Sequence, residues 1–448
     1  MKEIPIFSSR TQKQIGIQVM GAFAGAILIG TLILLIPQMT VTGSISFIDA
    51  LFTATSGICV TGLIVQDTAK HFTDLGKTII LIMVQLGGLG IMTIGSIFGL
   101  ILGRKIQIRD KLFIHSSFGP RQHFVASRFF ATIVAVTATI EIAGFLIMFP
   151  ILYFKYAYPL KSAVTFSFFH SVSAFNNAGF SLYSESLGGF VSDIPINLLM
   201  MVLIIIGGLG FPVMAEILNF RKGKKFTLHT KTVFLMTAIL IFLGALLIFL
   251  FEFRNPETIG NKPLGTQIMA SFFQSITART AGFNPLATGS LTQFSLFFLT
   301  ILMFIGASPG GTGGGIKTTT FAVVTTGALN SLRGRTQLLL FKKRLPEGLF
   351  SRALTIIFTA IIIIIFATIG ILIFENCTLS QALFEVTSAF STVGLSTGIT
   401  FGLTTPSKVI LILCMYIGRI GISTLALALA MRTSVDRAIH PEGNVTIG

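Results

Sequence analysis

Four short segments of this chain resemble one another. They read FTATSGICVTGL at 52–63, FHSVSAFNNAGF at 169–180, FQSITARTAGF at 273–283 and FEVTSAFSTVGL at 384–395. Each segment opens with Phe, carries Ser or Thr four residues later, and ends in Gly followed by Leu or Phe. Self-similarity at this level predicts four copies of one structural unit.

Long apolar runs lie on both sides of each segment. Hydrophobic residues make up 52% of the 448 residues and charged residues only 11%, whereas a soluble domain carries about 25% charged residues. A helix needs about 20 apolar residues to cross a bilayer. The runs predict spans near 14–36 and 77–102, 129–153 and 194–219, 230–252 and 291–330 (interrupted), and 353–374 and 407–431.

The four segments themselves are too short and too polar to be spans. About ten helix-compatible residues precede each one, with candidate N-caps at Asp49, Lys161–Ser162, Thr266 and Ser380. A half-length helix followed by a glycine-ended strand indicates a re-entrant loop, which survives at membrane depth only when it is buried in protein or lines a cavity. We therefore predict an all-α polytopic membrane protein with four tandem helix–re-entrant loop–helix repeats around a pseudo-four-fold central pore.

A second glycine signal recurs after each loop and supports repeats at 1–103, 104–220, 221–334 and 335–448. The motifs are QLGGLG at 85–90, IIGGLG at 205–210, FIGASPGG at 304–311 and YIGRIG at 416–421. From the last Gly of each loop to the first Gly of these motifs there are 25, 28, 24 and 24 residues. For 87–90 and 207–210 we expect close packing between helices, because small residues let backbones approach.

The basic residues are distributed unevenly. Of the 32 Lys and Arg, 22 lie in the N-terminal tail, 104–128, 221–231, 333–352 and the C-terminal tail, all on one side of the predicted spans. This positive-inside pattern predicts that both termini are cytoplasmic. The formal charge of +16 is thereby explained by a lipid bilayer rather than by nucleic acid, and the basic loops are candidate docking surfaces.

Four loops meeting at one axis can replace the water shell of a cation with rings of backbone carbonyls. Glycine permits backbone angles that point carbonyls inward, although each Gly could also simply end a short helix. The predicted filter ligands are the backbone oxygens of Cys59, Val60, Thr61, Gly62, Asn176, Asn177, Ala178, Gly179, Arg279, Thr280, Ala281, Gly282, Ser391, Thr392, Val393 and Gly394.

The third repeat contains LMFIGASPGGTGGGIK at 302–317. Its proline and six glycines disfavour a continuous helix, so we expect two half-helices joined by a loop at 306–316 just below the filter. The run is not a phosphate-binding P-loop, because Ile316 stands where that motif has Gly. The predicted gate residues are Gly306, Pro309, Gly310, Gly311, Gly313, Gly314, Gly315, Lys317 and Arg419.

Two intramembrane cations need an explanation, because such residues are costly and usually functional. Lys317 flanks the glycine-rich loop, and Arg419 lies in the fourth inner helix. Both could pair with loop carbonyls, but Arg419 is too central for that to be its expected role. Glu141 is expected to satisfy a neighbouring helix, and the side chain of Arg279 to tie a loop carboxylate to its short helix.

With these motifs in place, essentially the whole chain resembles the Trk/Ktr/HKT superfamily of potassium transporters, and specifically its Ktr-type bacterial membrane subunits. The resemblance implies a potassium filter at Gly62, Gly179, Gly282 and Gly394, since Ser in place of the first Gly goes with sodium transport in some plant relatives. It implies that the glycine-rich loop gates the pore beside Arg419. It also implies a homodimer on a cytosolic ring of KtrA- or KtrC-like nucleotide-binding regulatory subunits, in the bacterial cell membrane.

Two other functions compete with gated potassium uptake. Discontinuous helices also occur in secondary transporters of other cations or small solutes, but those folds usually arise from two repeats rather than four. A membrane-embedded enzyme is disfavoured, because the sequence has no metal-ligand cluster and no nucleophile beside a base. No covalent cofactor is expected, potassium is the transported substrate, and nucleotide would act only through a regulatory partner. Sodium dependence stays open.

Overall fold

The protein is described by a computed structural model covering residues 9–90, 126–220, 225–334, 337–346 and 348–429. The predictions for the two terminal tails, and for most of the basic stretch 104–128, lie outside these residues. The described chain is mostly helical, and its two-residue strands Leu339–Leu340 and Lys343–Arg344 form one antiparallel pair.

One arrangement recurs four times along the chain: an outer helix, a short helix, an irregular segment and an inner helix. The outer helices are Ser9–Leu34, Ala126–Pro150, Leu228–Glu252 and Leu349–Phe374. The short helices are Phe47–Cys59, Leu160–Phe175, Leu264–Thr277 and Leu379–Phe390. The inner helices are Asp74–Leu89, Ile194–Leu209, Gln293–Phe304 and Thr405–Ile420.

Further short elements connect or extend these helices. Phe211–Leu218, Thr318–Leu332 and Ile422–Leu429 continue the second, third and fourth inner helices. The remaining elements are a one-turn helix at Thr68–His71, a π-helical end at Ile151–Lys155, and 3₁₀ turns at Pro37–Met39, Gly188–Phe190, Thr288–Ser290 and Ile399–Gly402.

The outer helices carry the membrane signal. Within the described ranges, four helices are long and apolar enough to cross a bilayer by length and composition: Gly16–Leu34, Ala131–Lys155, Leu228–Glu252 and Leu349–Phe374. Large apolar side chains stand exposed along them, such as Phe366 and Ile373, each 70% exposed. Such surfaces suit contact with lipid, because apolar side chains that face lipid are not exposed to water.

The inner helices differ from the continuous spans expected at 194–219 and 407–431. The second bends by 100° at its break, where Gly210 has φ of +95° and Pro212 follows in the first turn of the next helix. The fourth breaks at Gly421, with φ of +84°. Gly90, Gly210 and Gly421 therefore each end a helix, because left-handed backbone angles stop it. The close packing expected in the first two motifs is found at Gly87 and Gly207, where an added Cβ would lie 2.1 Å from Ile58 O and 1.9 Å from Phe175 O.

The N-caps of the short helices lie two to three residues earlier than those proposed from the sequence. Ser46 and Thr378 cap the first and fourth helices, and Thr378 completes a capping box with Gln381. Pro159 and Pro263 precede the second and third. Proline has no N–H to satisfy, which makes it suited to a helix start.

The four units close into a ring. Each short helix packs against the outer helix of its own unit. The inner helices of the first, second and third units each contact the short helix of the next unit, and the inner helix of the fourth contacts the short helix of the first. The C-terminal ends of the short helices thus meet around a common centre.

Candidate ion pathway

The glycines that end the four segments lie together in a closed ring. A Cβ added to Gly62 would come within 2.9 Å of Gly179 Cα, and one on Gly179 within 3.1 Å of Gly282 Cα. The same test gives 3.1 Å from Gly282 to Gly394 Cα and 3.1 Å from Gly394 to Gly62 Cα. Each glycine therefore touches the next, and no side chain fits between neighbouring segments.

The backbone of the four segments follows one pattern despite different sequences. The ring glycines have φ between +68° and +94°. Two residues before each of them, a non-glycine residue is also left-handed, at Val60, Asn177, Thr280 and Thr392 with φ of 57°, 56°, 71° and 52°. This alternation turns successive carbonyls toward the same side of the segment, unlike a regular strand. Non-glycine residues in this region each cost about 1–3 kcal/mol and cluster at functional sites.

A hydroxyl near the end of each short helix braces its segment. Ser56 Oγ accepts the N–H of Gly62 at 3.0 Å, and Ser388 Oγ accepts that of Gly394 at 3.1 Å. In the other two units the hydroxyl donates to the carbonyl after the glycine, from Ser173 to Phe180 at 2.8 Å and from Thr277 to Phe283 at 2.7 Å. The Ser or Thr shared by all four sequences therefore holds the extended backbone.

Of the sixteen residues predicted as filter ligands, all but Gly179 and Gly394 are buried, and those two are half-buried. The first residue of three segments still belongs to the short helix or its cap: Cys59 ends one helix, and Asn176 and Ser391 have right-handed helical angles. No carboxylate among the described residues binds the Arg279 side chain, contrary to the expectation. One of its terminal N–H groups lies 3.4 Å from Thr237 Oγ1 on the outer helix.

The glycine-rich loop lies against the deep end of this ring. Gly314 N–H donates to Thr392 Oγ1 at 2.9 Å. A Cβ on Gly313 would fall 1.8 Å from Thr280 Oγ1, and one on Gly315 would fall 3.2 Å from Ser391 Cβ. The loop therefore contacts residues two or three positions before the ring glycines of the third and fourth units.

The break in the second inner helix provides the loop with hydrogen-bond acceptors. The last carbonyls of a helix have no partner inside it. Here Ser308 N–H donates to Gly208 O at 3.0 Å and Thr312 N–H to Gly207 O at 3.3 Å, while Gly310 O accepts from Phe211 N–H at 3.0 Å. Across its own ends, the loop closes through Gly306 N–H and Ile316 O at 2.9 Å.

Both intramembrane cations bind loop carbonyls. Lys317 Nζ donates to Gly313 O at 2.7 Å. Arg419 donates to Thr312 O and to Gly87 O, near the end of the first inner helix. The expectation that Arg419 is too central to pair with carbonyls is wrong: its guanidinium joins the loop to the first and fourth units. Of the predicted gate residues, Gly306, Gly313 and Gly314 are buried, and Pro309, Gly310, Gly311, Gly315 and Lys317 are half-buried.

Backbone oxygens, rather than side chains, are the cation ligands that this site offers. Among the described residues no group of three or more His, Cys, Asp or Glu is placed to hold a metal ion. A carbonyl ring without net charge suits a monovalent ion that must enter and leave rapidly.

Known proteins match the chain over nearly its whole length. The family model for TrkH, described as a cation transport protein, matches residues 8–439. The Ktr system potassium uptake protein B of Bacillus subtilis is 37% identical over 422 residues, covering 94% of each chain. The potassium/sodium uptake protein NtpJ of Enterococcus hirae is 32% identical over 452 residues, covering 99% of this chain and 100% of that protein.

The fold also matches a solved structure. The potassium transporter TrkH from Vibrio parahaemolyticus superposes with a TM-score of 0.73 at 19% sequence identity, covering 96% of this chain and 86% of that one. The resemblance drawn from the loops and glycine motifs is confirmed. The chain is a multi-pass membrane protein that belongs to the TrkH family of cation transport proteins.

Proposed function

We propose that this protein takes up potassium through a carbonyl-lined filter formed by the four glycine-ended segments. The observation that carries the proposal is the closed ring of Gly62, Gly179, Gly282 and Gly394, with the same left-handed alternation in every segment. Such a ring presents one carbonyl from each unit at each level, which can replace the hydration shell of the ion. The potassium uptake named for the relatives at 37% identity supports the same substrate.

The four units then serve as tandem repeats, at 1–103, 104–220, 221–334 and 335–448, around one pore. The short helices point their C-terminal ends at the centre, where the partial negative charge of a helix end favours a cation. In this arrangement the basic stretches face the cytoplasm together with both termini. Secondary transport of a different solute is the alternative, and the closed ring favours the filter over it.

The glycine-rich loop is the proposed gate. Its contacts with Thr280 and Thr392 support a position on the proposed ion route, immediately below the ring. Arg419 steadies the loop in this position through Thr312 O. In its present position the loop blocks the proposed route, and displacing it would open the route. The structure therefore corresponds, in this proposal, to the resting state.

Regulation is proposed to come from outside the chain. The relatives named as components of a Ktr system imply further components, and we propose a homodimer on a cytosolic ring of nucleotide-binding subunits. The basic loops 104–128, 221–231 and 333–352 are the proposed docking surface. The NtpJ name makes sodium a second ion to test.

Growth and flux measurements test the function. Expression in potassium-uptake-deficient bacteria should restore growth on limiting potassium, and purified protein in proteoliposomes should take up rubidium in competition with potassium. Sodium should be tested as competitor and as activator. A protein that accumulates in the membrane yet moves neither potassium nor rubidium would refute the proposal.

A further inference from the structure

A buried carboxylate lies behind the second filter segment. Glu141, on the second outer helix, is 7% exposed. Its Oε1 is 2.9 Å from Asn176 Nδ2 and its Oε2 is 3.2 Å from Gln85 Nε2. Gln85 belongs to the first inner helix and Asn176 is the first residue of the second filter segment. One carboxylate thus joins an outer helix, a neighbouring inner helix and the filter.

Both oxygens of Glu141 face side-chain NH2 groups, so the hydrogen bonds of this cluster require a residue at 141 that accepts at both atoms and donates from neither. Asn176 Nδ2 also faces Gln85 Oε1 at 2.7 Å and Val172 O at 2.9 Å. An ionised carboxylate accepts at both oxygens and donates from neither. Glu141 can therefore face the amide nitrogens of Gln85 and Asn176 together, and it fixes the orientation of both amides.

The Asn176 amide is closely packed between the start of the second filter segment and the first inner helix. Asn176 is fully buried, and its Oδ1 lies so close to Gly88 that a Cβ there would be 1.8 Å away. Asn177, the next residue, has the left-handed angle that begins the filter alternation. Any rotation of the Asn176 amide would therefore shift the segment that carries Gly179.

The equivalent position in the third unit is apolar, which separates Glu141 from the shared scaffold. Ser171 Oγ donates to Glu141 O at 2.7 Å, and Ser275 Oγ donates to Ile241 O at 2.9 Å. Both serines stand two residues after the Phe that opens their segment. Glu141 therefore occupies the place of Ile241, so the fold of a unit does not itself require a carboxylate there.

Its charge also lacks a direct counter-ion. Glu141 takes part in none of the ion pairs found between described residues. Inside a membrane an uncompensated charge is costly and points to function. A negative charge behind the filter favours a cation in front of it.

We propose that Glu141 is a positioning residue for the second filter segment, acting through Asn176 and Gln85 and adding negative charge behind the filter. This inference rests on the proposed function of the ring. The second filter segment would then differ from the third, because a charged side chain holds the second and the third has Ile241 at the equivalent position.

A charge swap tests it. In Glu141→Gln the new side-chain NH2 faces the NH2 of Gln85, so two donors meet. Rotating either amide by 180° removes this contact but brings an NH2 against the NH2 of Asn176 instead. We expect this variant to raise the apparent KM for potassium about tenfold, since it leaves a buried donor without an acceptor beside the filter segment. The double variant Gln85→Glu with Glu141→Gln restores every donor–acceptor pair and the charge, so its KM should return to within about twofold of wild type.

Thr137→Val is the matched control. Thr137 lies one turn earlier on the same helix, is buried, and its hydroxyl has no hydrogen-bond partner in the described structure. Its uptake should equal wild type. A Glu141→Gln variant indistinguishable from wild type, or an impaired one that the swap does not restore, would overturn the inference.

The thermal unfolding midpoint and the membrane accumulation of the variants distinguish failure of this inference from failure of the proposed function. If wild type itself moves no potassium, the proposed function fails, and the thermal unfolding midpoint of the purified variants still tests the hydrogen-bond set. That midpoint should fall for Glu141→Gln and recover in the swap. If Glu141→Gln does not accumulate, a swap variant that accumulates and transports supports the inference, and one that fails overturns it.

Discussion

The filter ring and the glycine-rich loop both depend on glycine, but for different physical reasons. In the ring, a Cβ on each glycine would lie 2.2–2.9 Å from a carbonyl oxygen of the adjacent segment. In the loop, the obstacles at Gly313 and Gly314 are the side chains of Thr280 and Thr392. Neighbouring ring segments thus pack backbone against backbone, which cannot move aside, whereas on its ring-facing side the loop packs against side chains, which can. The comparison indicates a fixed ring with a displaceable loop beneath it.

The largest expected effect tests the rigid ring. In Gly62→Ala the new Cβ would lie 2.4 Å from Ala178 O. Overpacking costs about 1–3 kcal/mol, and each 1.4 kcal/mol is a factor of ten, so rubidium uptake should fall about 100-fold. Gly25→Ala, where nothing lies within 4 Å, is the control. Normal uptake by Gly62→Ala would show that the ring can yield.

The next effect tests whether the loop is displaceable. Arg419→Ala removes donors to Thr312 O and Gly87 O. Only the bond to Thr312 O reaches the loop. A hydrogen bond from a charged group contributes about 1.5–3 kcal/mol, so its loss should raise flux at least about tenfold. Deleting Gly310–Gly315 should also raise flux. Arg254→Ala, which removes an exposed arginine, should change nothing. Unchanged flux in both loop variants would contradict the gate.

A smaller effect tests whether the serine hydroxyl behind the fourth filter segment sets ion selectivity. Ser388→Ala leaves the N–H of the half-buried Gly394 without its acceptor. The cost of about 1–3 kcal/mol is carried by one segment, so we expect the preference for potassium over sodium to fall about fivefold while uptake continues. Competition between the two ions in proteoliposomes measures this preference. If selectivity is retained, the hydroxyl is not what shapes the segment.

The smallest effect concerns the contact between ring and loop. Thr392→Val keeps the side-chain shape but removes the acceptor of Gly314 N–H. One neutral hydrogen bond contributes about 0.5–1.5 kcal/mol, so resting flux should rise about threefold. Thr368→Val is the control, because that buried hydroxyl has no partner among the described residues. A fall in flux would mean that the contact holds the route open.

Local patterns determined the class of the protein and the location of its loops. The recurring Phe, hydroxyl and Gly identify four segments, because left-handed backbone and close approach require glycine wherever the unit occurs. The apolar outer helices follow from length and composition alone. The glycine-rich interruption follows from helix propensity, which depends on neighbouring residues only.

Other features required the tertiary structure. The breaks at Gly210 and Gly421 were missed, since a glycine within an apolar run reads equally as a packing contact or a helix end. Pro212, two residues after Gly210, was the available signal at one of them.

The sequence predicted the kind of partner for Glu141, a neighbouring helix, and allowed loop carbonyls as an alternative for Arg419, but it could not identify the individual partner residues. Arg419 binds carbonyls of Thr312 and Gly87, and Glu141 binds amides of Gln85 and Asn176. All of these contacts except the one between Glu141 and Asn176 join different units, and only the packing of the four units around one centre brings those partners together. The sequence determined four similar units in a membrane, because apolar length and glycine spacing act locally. The tertiary structure decided which polar groups meet between them, because hydrogen bonds across units depend on distances that no spacing along the chain encodes.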